Sequence, residues 1–336
     1  MVEIIPGIYH LQVPIPNSPL GHTNAYLVRE NKECLLVDTG WNTPEAFDAL
    51  SDQLTEIGAR FEDISQIVVT HIHPDHYGLA GRLKQLSHAK VCLDYLGKDF
   101  IESRYINIDK LLDVIAQWLH VNGVPANILS QLQAASVGMR KFVTPTLPDV
   151  ILRGGETITL GSFNFRVLWT PGHSPGHISL YEPRRKVLLS GDHILPGITP
   201  NVSLHPQTSA DPLHDYLNSL DAMKQLEVNL VLPGHEEPFS NLQLRIEQLV
   251  QHHQERNAEI LAALNRELKT GYQIATQITW KQDISGAGWD SLEPWEMRMA
   301  VLETLAHLEA MRVDGKLDKF TREDIIYYQH RNERAN

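Results

Sequence analysis

Thr70-His71-Ile72-His73-Pro74-Asp75-His76 follows directly on the apolar run Ile67-Val68-Val69. The pattern HxHxDH places four potential metal ligands within six residues. Pro74 excludes a regular helix across the stretch, so this is not the i, i+4 His pair of a helical zinc protease. At an extended strand end His71 and His73 point to the same side, because side chains alternate with a period of two. Together they can grip one ion. A turn at Pro74 can then redirect Asp75 and His76 toward a second ion close by. Imidazole and carboxylate suit zinc, manganese or iron better than copper(I) or calcium.

Further along the chain, three more apolar strands run into candidate ligands. Thr170-Pro171-Gly172-His173-Ser174-Pro175-Gly176-His177 follows a strand ending at Trp169. Ser190-Gly191-Asp192-His193 follows Leu188-Leu189, and Pro233-Gly234-His235 follows Leu230-Val231-Leu232. Strand ends in a layered α/β fold lie close together and hold loop residues on a rigid frame. Histidines scattered over a surface would not fall at the ends of buried strands in this way. Isolated histidines such as His22, His253 and His307 carry no such signal, and no function is assigned to them.

The chain of 336 residues has a net charge of −12, 42% hydrophobic and 21% charged residues, the make-up of an ordinary globular protein of two or three domains. Cys34 and Cys92 fall in apolar runs outside any CxxC pair, which excludes a disulfide framework and a thiolate zinc knuckle. The N-terminus has no signal-peptide pattern, and no apolar run approaches the roughly 20 residues of a membrane span. The expectation is a cytoplasmic protein with no membrane partner.

Residues 1–93 read as strands and helices. Strands are expected at 8–13, 24–28, 34–37 and 67–69. A helix runs to about Ile57 with Thr43 as N-cap and Pro44 at N1. Residues 94–150 change character: Leu111, Leu112, Ile115, Trp118 and Leu119 recur at helical spacing, which predicts a helical insertion. Strands resume over 155–240. Beyond 241 the chain is mainly helical, with helices at 242–268 and 293–311 and a turn at 313–317 suited to a hairpin. Two units follow: a catalytic domain at 1–240 carrying the insertion (about 94–150), and a C-terminal unit at 241–336 with the element order of a winged helix.

These residues resemble the metallo-β-lactamase superfamily, and in particular the dinuclear site of its glyoxalase II-like hydrolases. The likeness rests on HxHxDH at 71–76, TPGHSPGH at 170–177, GD at 191–192, PGH at 233–235 and VDTG at 37–40. It implies an α/β (α+β) fold, a four-layer αββα sandwich with a helical insertion and a C-terminal helical, winged-helix domain. It implies two divalent transition-metal ions, with zinc the default and iron or manganese accepting the same ligands. His71, His73 and His173 would hold the first metal, and Asp75, His76 and His235 the second. Asp192 would bridge both. Asp75 and Asp192 are the expected catalytic carboxylates. Asp38, His177 and His193 are expected to support the ligands rather than bind metal. Substrate-binding residues are not assigned, although Tyr105 and Trp118 of the insertion are candidates to line a pocket, and 197–201 is a candidate substrate loop.

The implied reaction is hydrolysis, with a metal-bridging hydroxide attacking a small ester, thioester or lactone. The alternative is a phosphodiesterase or endoribonuclease on the same two-metal site. Asp192, which name-giving β-lactamases generally lack, argues against antibiotic hydrolysis. A di-iron redox protein would need a flavin domain that the sequence lacks. The C-terminal unit resembles a winged-helix appendage of some members, one branch of them ribonucleases. Yet residues 241–336 hold 12 Lys plus Arg against 15 Asp plus Glu. A phosphate-tracking surface is normally basic, so a small acyl compound is the favoured partner and nucleic acid the less favoured one. A homo-oligomer is compatible with all of this.

Overall fold

The computed structural model describes residues 1–336 apart from 17, 136, 281–287 and 332–336. Strands β1 (Val2–Ile5), β2 (Ile8–Pro14), β3 (His22–Glu30), β4 (Glu33–Val37), β5 (Ile64–Val68), β6 (Lys90–Asp94) and β7 (Val150–Leu152) form one sheet in chain order. It is antiparallel from β1 to β4 and parallel from β4 to β7. Strands β8 (Thr157–Leu160), β9 (Phe163–Trp169), β10 (Ile178–Glu182), β11 (Val187–Gly191) and β12 (Leu230–Pro233) form the second sheet. Its β11–β12 pair is parallel and its other pairs antiparallel.

Burial on both faces explains why β4, β6, β11 and β12 read as nearly unbroken apolar runs. Leu35, Val37, Val68 and Cys92 pack toward Phe165, Val167, Leu180 and Leu189 between the sheets. Their chain neighbours Leu36, Ile67, Val91 and Leu93 pack on the other side. There they meet α1 (Pro44–Glu56) and α3 (Ala80–Ser87) through Leu50, Leu54 and Leu83. The Thr43 hydroxyl accepts from the Ala46 amide at 3.2 Å and starts α1 as expected; such a cap contributes about 1 kcal/mol. Between α1 and α3 lies the short α2 (Pro74–Tyr77), with Pro74 as its first residue.

The insertion contains α4 (Gly97–Ile101), a π-helical turn at Glu102–Ile106, α5 (Asp109–Val121) and α6 (Ala126–Ala134). The outer face of the second sheet, through Leu188 and Val231, is covered by α7 (Pro212–Lys224), α8 (Leu242–Leu264), α9 (Gly271–Ala275) and α10 (Pro294–Val313). Leu119 and Leu132 of the insertion join the same core. The layers are therefore helix, sheet, sheet, helix. The C-terminal helical region supplies much of the fourth layer, and residue 240 falls between β12 and α8.

Two local expectations need correction. The hairpin is β13 (Leu317–Arg322) paired with β14 (Ile325–His330), and it turns at Glu323 and Asp324, with φ of 47° and 64°. Residues 313–317 instead end α10 and lead into β13. Glu-Asp is a weak hairpin signal beside Gly315, so the glycine attracted the reading. The long helix also stops at Leu264, not 268, because Asn265 and Arg266 take left-handed backbone angles.

Candidate metal centre

The strand ends bring the candidate ligands together. His71 and His73 follow β5, His173 follows β9, Asp192 follows β11 and His235 follows β12, while Asp75 and His76 lie in α2. Donor atoms of His71, His73 and His173 lie within 4.8 Å of one another, as do those of His71, His76 and Asp192, and those of Asp75, His76 and His235. All seven predicted ligands thus fall into three overlapping triads.

His73 Nδ1 lies 2.9 Å from His71 Nε2 and 3.1 Å from His173 Nε2. In the other triad His235 Nε2 is 3.3 Å from Asp75 Oδ2, and His76 Nε2 is 3.8 Å from the same oxygen. Asp192 lies between the two: Oδ1 is 3.3 Å from His76 Nε2, and Oδ2 is 3.5 Å from His235 Nε2 and 3.8 Å from His173 Nε2. Tetrahedral zinc bonds of about 2.0–2.1 Å place ligand atoms about 3.3 Å apart, so both groups fit a transition-metal ion. Three inward-facing atoms, His76 Nε2, His235 Nε2 and Asp192 Oδ1, are buried without a hydrogen-bond partner among the described residues. Buried polar atoms are seldom left so, and a metal resolves all three at once.

Supporting contacts set the ring tautomers. His76 Nδ1–H donates to Asp38 Oδ2 at 2.8 Å, His173 Nδ1–H to the Asn201 carbonyl at 2.9 Å and His235 Nδ1–H to the His22 carbonyl at 3.0 Å. Each bond leaves the Nε2 lone pair facing the centre. Asp38 also accepts from the Thr70 amide and hydroxyl, both at 2.8 Å. His177 accepts from the Asp192 amide at 3.2 Å and donates from Nδ1 to the Thr170 hydroxyl at 2.8 Å. It holds the backbone of Asp192 and belongs to none of the triads. His193 is fully buried, 5.6 Å from the His177 ring and 4.8 Å from the Tyr216 ring.

Two glycines make room. A Cβ on Gly234 would come within 2.3 Å of Asp192 Oδ1, and one on Gly191, at φ +51°, within 2.6 Å of His177 Nε2. These close approaches give the PGH and GD motifs their glycines.

The protein's own charges divide the cluster. Burial, with neighbouring imidazoles adding, holds His71 well below the ordinary range and brings His73 down to about 3. Burial likewise lowers His173. His76 and His235 go the other way. Burial opposes their charge, yet the carboxylates prevail: Asp192, Asp38 and Asp75 hold His76 well above its usual value, and Asp192 with Asp75 raises His235 to about 10. Against the same burial, His76 and His235 keep Asp75 at about 2 and Asp192 well below the carboxylate range. A metal ion at Asp75, His76 and His235 would thus compete with protons.

The sequence pattern of the metallo-beta-lactamase superfamily matches residues 18–235. The chain belongs to the metallo-beta-lactamase superfamily. It is an enzyme of that superfamily, a metallo-hydrolase. It is 26% identical over 327 residues to the probable metallo-hydrolase YqjP of Bacillus subtilis, covering 95% of this chain and 96% of that protein. The crystal structure of the superfamily protein TTHA1429 from Thermus thermophilus matches with a TM-score of 0.82 and 34% identity, over 98% of this chain and 100% of that one. The acyl-coenzyme A thioesterase MBLAC2 of Bos taurus is 28% identical over 246 residues, 69% of this chain and 79% of that protein.

Several contributors carried no signal in the sequence. The carbonyls of His22 and Asn201 act through backbone, which residue type does not reveal. Glu303 of α10 accepts from the Asn201 side chain at 2.7 Å and lies 3.8 Å from Arg256 Nε, so the C-terminal region holds the loop that orients His173. Within the suggested 197–201 loop, Asn201 therefore meets the candidate ligand His173, while the Gly197 and Ile198 amides donate to Glu236 at 2.9 and 3.1 Å. Tyr105 and Trp118 do line a cavity next to His73. Among the described residues no helix is long and apolar enough to cross a membrane.

Proposed function

We propose that the chain is a dinuclear metal-dependent hydrolase of small acyl esters or thioesters. The observation that carries the reading is the position of Asp192, whose two oxygens lie within reach of ligand nitrogens from both triads. His71, His73 and His173 would hold one ion, Asp75, His76 and His235 the other, with Asp192 bridging. Zinc is the favoured ion, and iron or manganese accepts the same donors. Ions so held lower the pKa of water toward neutrality and polarise an acyl carbonyl.

The chain's own groups do the rest. Asp38 and the His22 and Asn201 carbonyls fix three imidazoles with Nε2 toward the centre. His177 fixes the peptide of Asp192. Asp75, whose side chain retains 19% exposure, reaches the solvent-facing edge. It takes the proton of the attacking water and passes it to the leaving sulfur or oxygen. The water oxygen bonds to the acyl carbon, the carbon–sulfur or carbon–oxygen bond breaks, and a carboxylic acid and a thiol or alcohol leave. The likeness to an acyl-coenzyme A thioesterase supports the acyl class. The acidic C-terminal region, in which Glu303 braces the metal loop, fits a packing and pocket role better than nucleic-acid reading.

The test is metal analysis joined to turnover. Metal-reconstituted protein should carry close to two transition-metal ions per chain and hydrolyse members of a thioester, ester and lactone panel. Asp192→Ala should lose metal and activity together. One loosely held ion per chain would refute the dinuclear reading, and turnover of RNA or bis(p-nitrophenyl) phosphate without acyl hydrolysis would move the assignment to phosphodiesters.

A further inference from the structure

A cavity of about 220 Å³ opens beside His73 and Pro74. Leu111, Ile115 and Trp118 of α5 and Met299 and Leu302 of α10 give it an apolar wall. Its polar lining is cationic: Arg104, Arg140 and Arg298 all reach it, and no Asp or Glu stands among the described lining residues, in a chain of net charge −12.

Arg104 is the best defined of the three. Its Nε donates to Gln207 Oε1 at 2.9 Å, and its Nη2 lies 3.4 Å from His205 Nε2. Both partners are neutral, since burial and the Arg104 and Arg298 charges hold His205 well below its ordinary range. Arg140 donates to the carbonyls of Tyr105 and Ile106 at 3.0 and 3.4 Å. Among the described residues neither Arg104 nor Arg140 meets a carboxylate. A half-buried guanidinium without an anion costs stability unless a ligand supplies one.

The position is built. Arg104 lies in the π-helical turn, a rare geometry concentrated at functional sites. The next residue, Tyr105, donates its hydroxyl to the Ile72 carbonyl at 2.5 Å, between the ligands His71 and His73. The arginine is thereby pinned to the metal loop.

We propose that this cavity is the acyl chamber and that Arg104, with Arg140 and Arg298 beside it, is an anion subsite. The substrate is then an amphipathic ester or thioester with a carboxylate or phosphate near the scissile carbonyl. This deepens, and rests on, the hydrolase reading. A guanidinium fork suits either anion bidentately. The two sources differ in place: a carboxylate belongs to the acyl half, a phosphate to the leaving group.

The test uses metal-loaded protein and calorimetric titration with heptanoate, hexyl phosphate and 1-heptanol. At least one anion should bind about tenfold or more tighter than the alcohol, the usual range for a charge-assisted bond. Arg104→Gln should shrink that ratio to about threefold or less, and Arg104→Lys, which keeps the charge but loses the fork, should give a ratio between those of Arg104→Gln and the unmutated protein. Preference for heptanoate points to an acyl carboxylate, and preference for hexyl phosphate to a phosphorylated leaving group. Anion binding indifferent to Arg104→Gln means that the metals alone hold the anion, which overturns the subsite. Turnover of hexanoyl and adipoyl N-acetylcysteamine thioesters and of the hexanoyl thioester of 2-mercaptoethyl phosphate by the unmutated protein gives a second, independent reading. Equal rates on neutral and anionic thioesters overturn the subsite and leave the hydrolase standing. Arg104-dependent anion binding with no acyl hydrolysis at all leaves the subsite standing and overturns the hydrolase.

Discussion

Replacing Asp38 by Asn exchanges one buried oxygen for an NH2 group of the same size. The carboxylate accepts three hydrogen bonds, from the Thr70 amide, the Thr70 hydroxyl and His76 Nδ1–H, each at 2.8 Å. Asn keeps the first through its oxygen. It can keep the second because the Thr70 hydroxyl can turn and accept. The third has no such remedy, since an NH2 group would face an N–H. His76 must then leave its donor unpaired or move the proton to Nε2, where it occupies the lone pair that faces the metal centre. The backbone does not confound the change, because Asn tolerates the φ of +61° at this position as readily as Asp. One charge-assisted bond is worth about 1.5–3 kcal/mol, which corresponds to about 10–100-fold in affinity. Losses of that size are usual when a group that orients a metal ligand is changed. Competition titration with a chromophoric chelator should show one ion weakened by that factor and the ion at His71, His73 and His173 much less affected. If Asp38→Asn binds both ions within about twofold of the unmutated protein, the tautomer argument is wrong.

Other expectations follow from the same geometry. Glu303→Ala should weaken metal binding about tenfold by loosening Asn201 behind His173, and Glu303→Gln, which still accepts from Asn201, should restore most of it in the same titration. Gly234→Ala should lose metal and activity while staying folded by circular dichroism, since its Cβ would sit 2.3 Å from Asp192 Oδ1; a variant with normal metal content would show that the loop yields. Burial raises Asp94 to about 6, its Oδ1 accepting from the Leu96 amide at 2.8 Å and its Oδ2 lacking a partner among the described residues. Its folded pKa lies above the unfolded value of about 3.9, so its contribution is fully present below that value and is lost as pH rises through about 6. Asp94→Asn should therefore stabilise the fold by about 1 kcal/mol after allowance for solvent screening at pH 7–8, seen as a raised melting temperature relative to the unmutated protein, and leave it nearly unchanged at pH 4; equal gains at both pH values would refute the burial argument.

The candidate ligands were legible because their positions are local facts. An apolar run of β-branched and leucine residues announces a buried strand, and His, Asp or Gly at its end announces a loop that must do something other than pack. The same logic recovered α1 from Thr43 and Pro44. It misplaced the hairpin turn because Glu323 and Asp324 adopt left-handed angles that their residue types scarcely advertise. It left Arg104 unremarked because the π-helical turn has no periodic signature of its own. The apolar residues of α5 were visible as a helix face, but not that Trp118 of that face borders a cavity shared with α10.

The sequence by itself determined which side chains can bind metal and that most of them stand just past strand ends. Side-chain chemistry and the period of a strand are properties of a few adjacent residues. Only the tertiary structure decided which nitrogen of each imidazole faces the centre. That choice depends on the partner of the opposite nitrogen, and the partners come from far along the chain: the Asn201 carbonyl for His173, and the His22 carbonyl for His235. The same holds for the charge of the cavity, where arginines from the insertion and from α10 meet beside His73 although the chain as a whole is acidic. Hydrogen bonds and fields act through space, so they are set where the layers pack together.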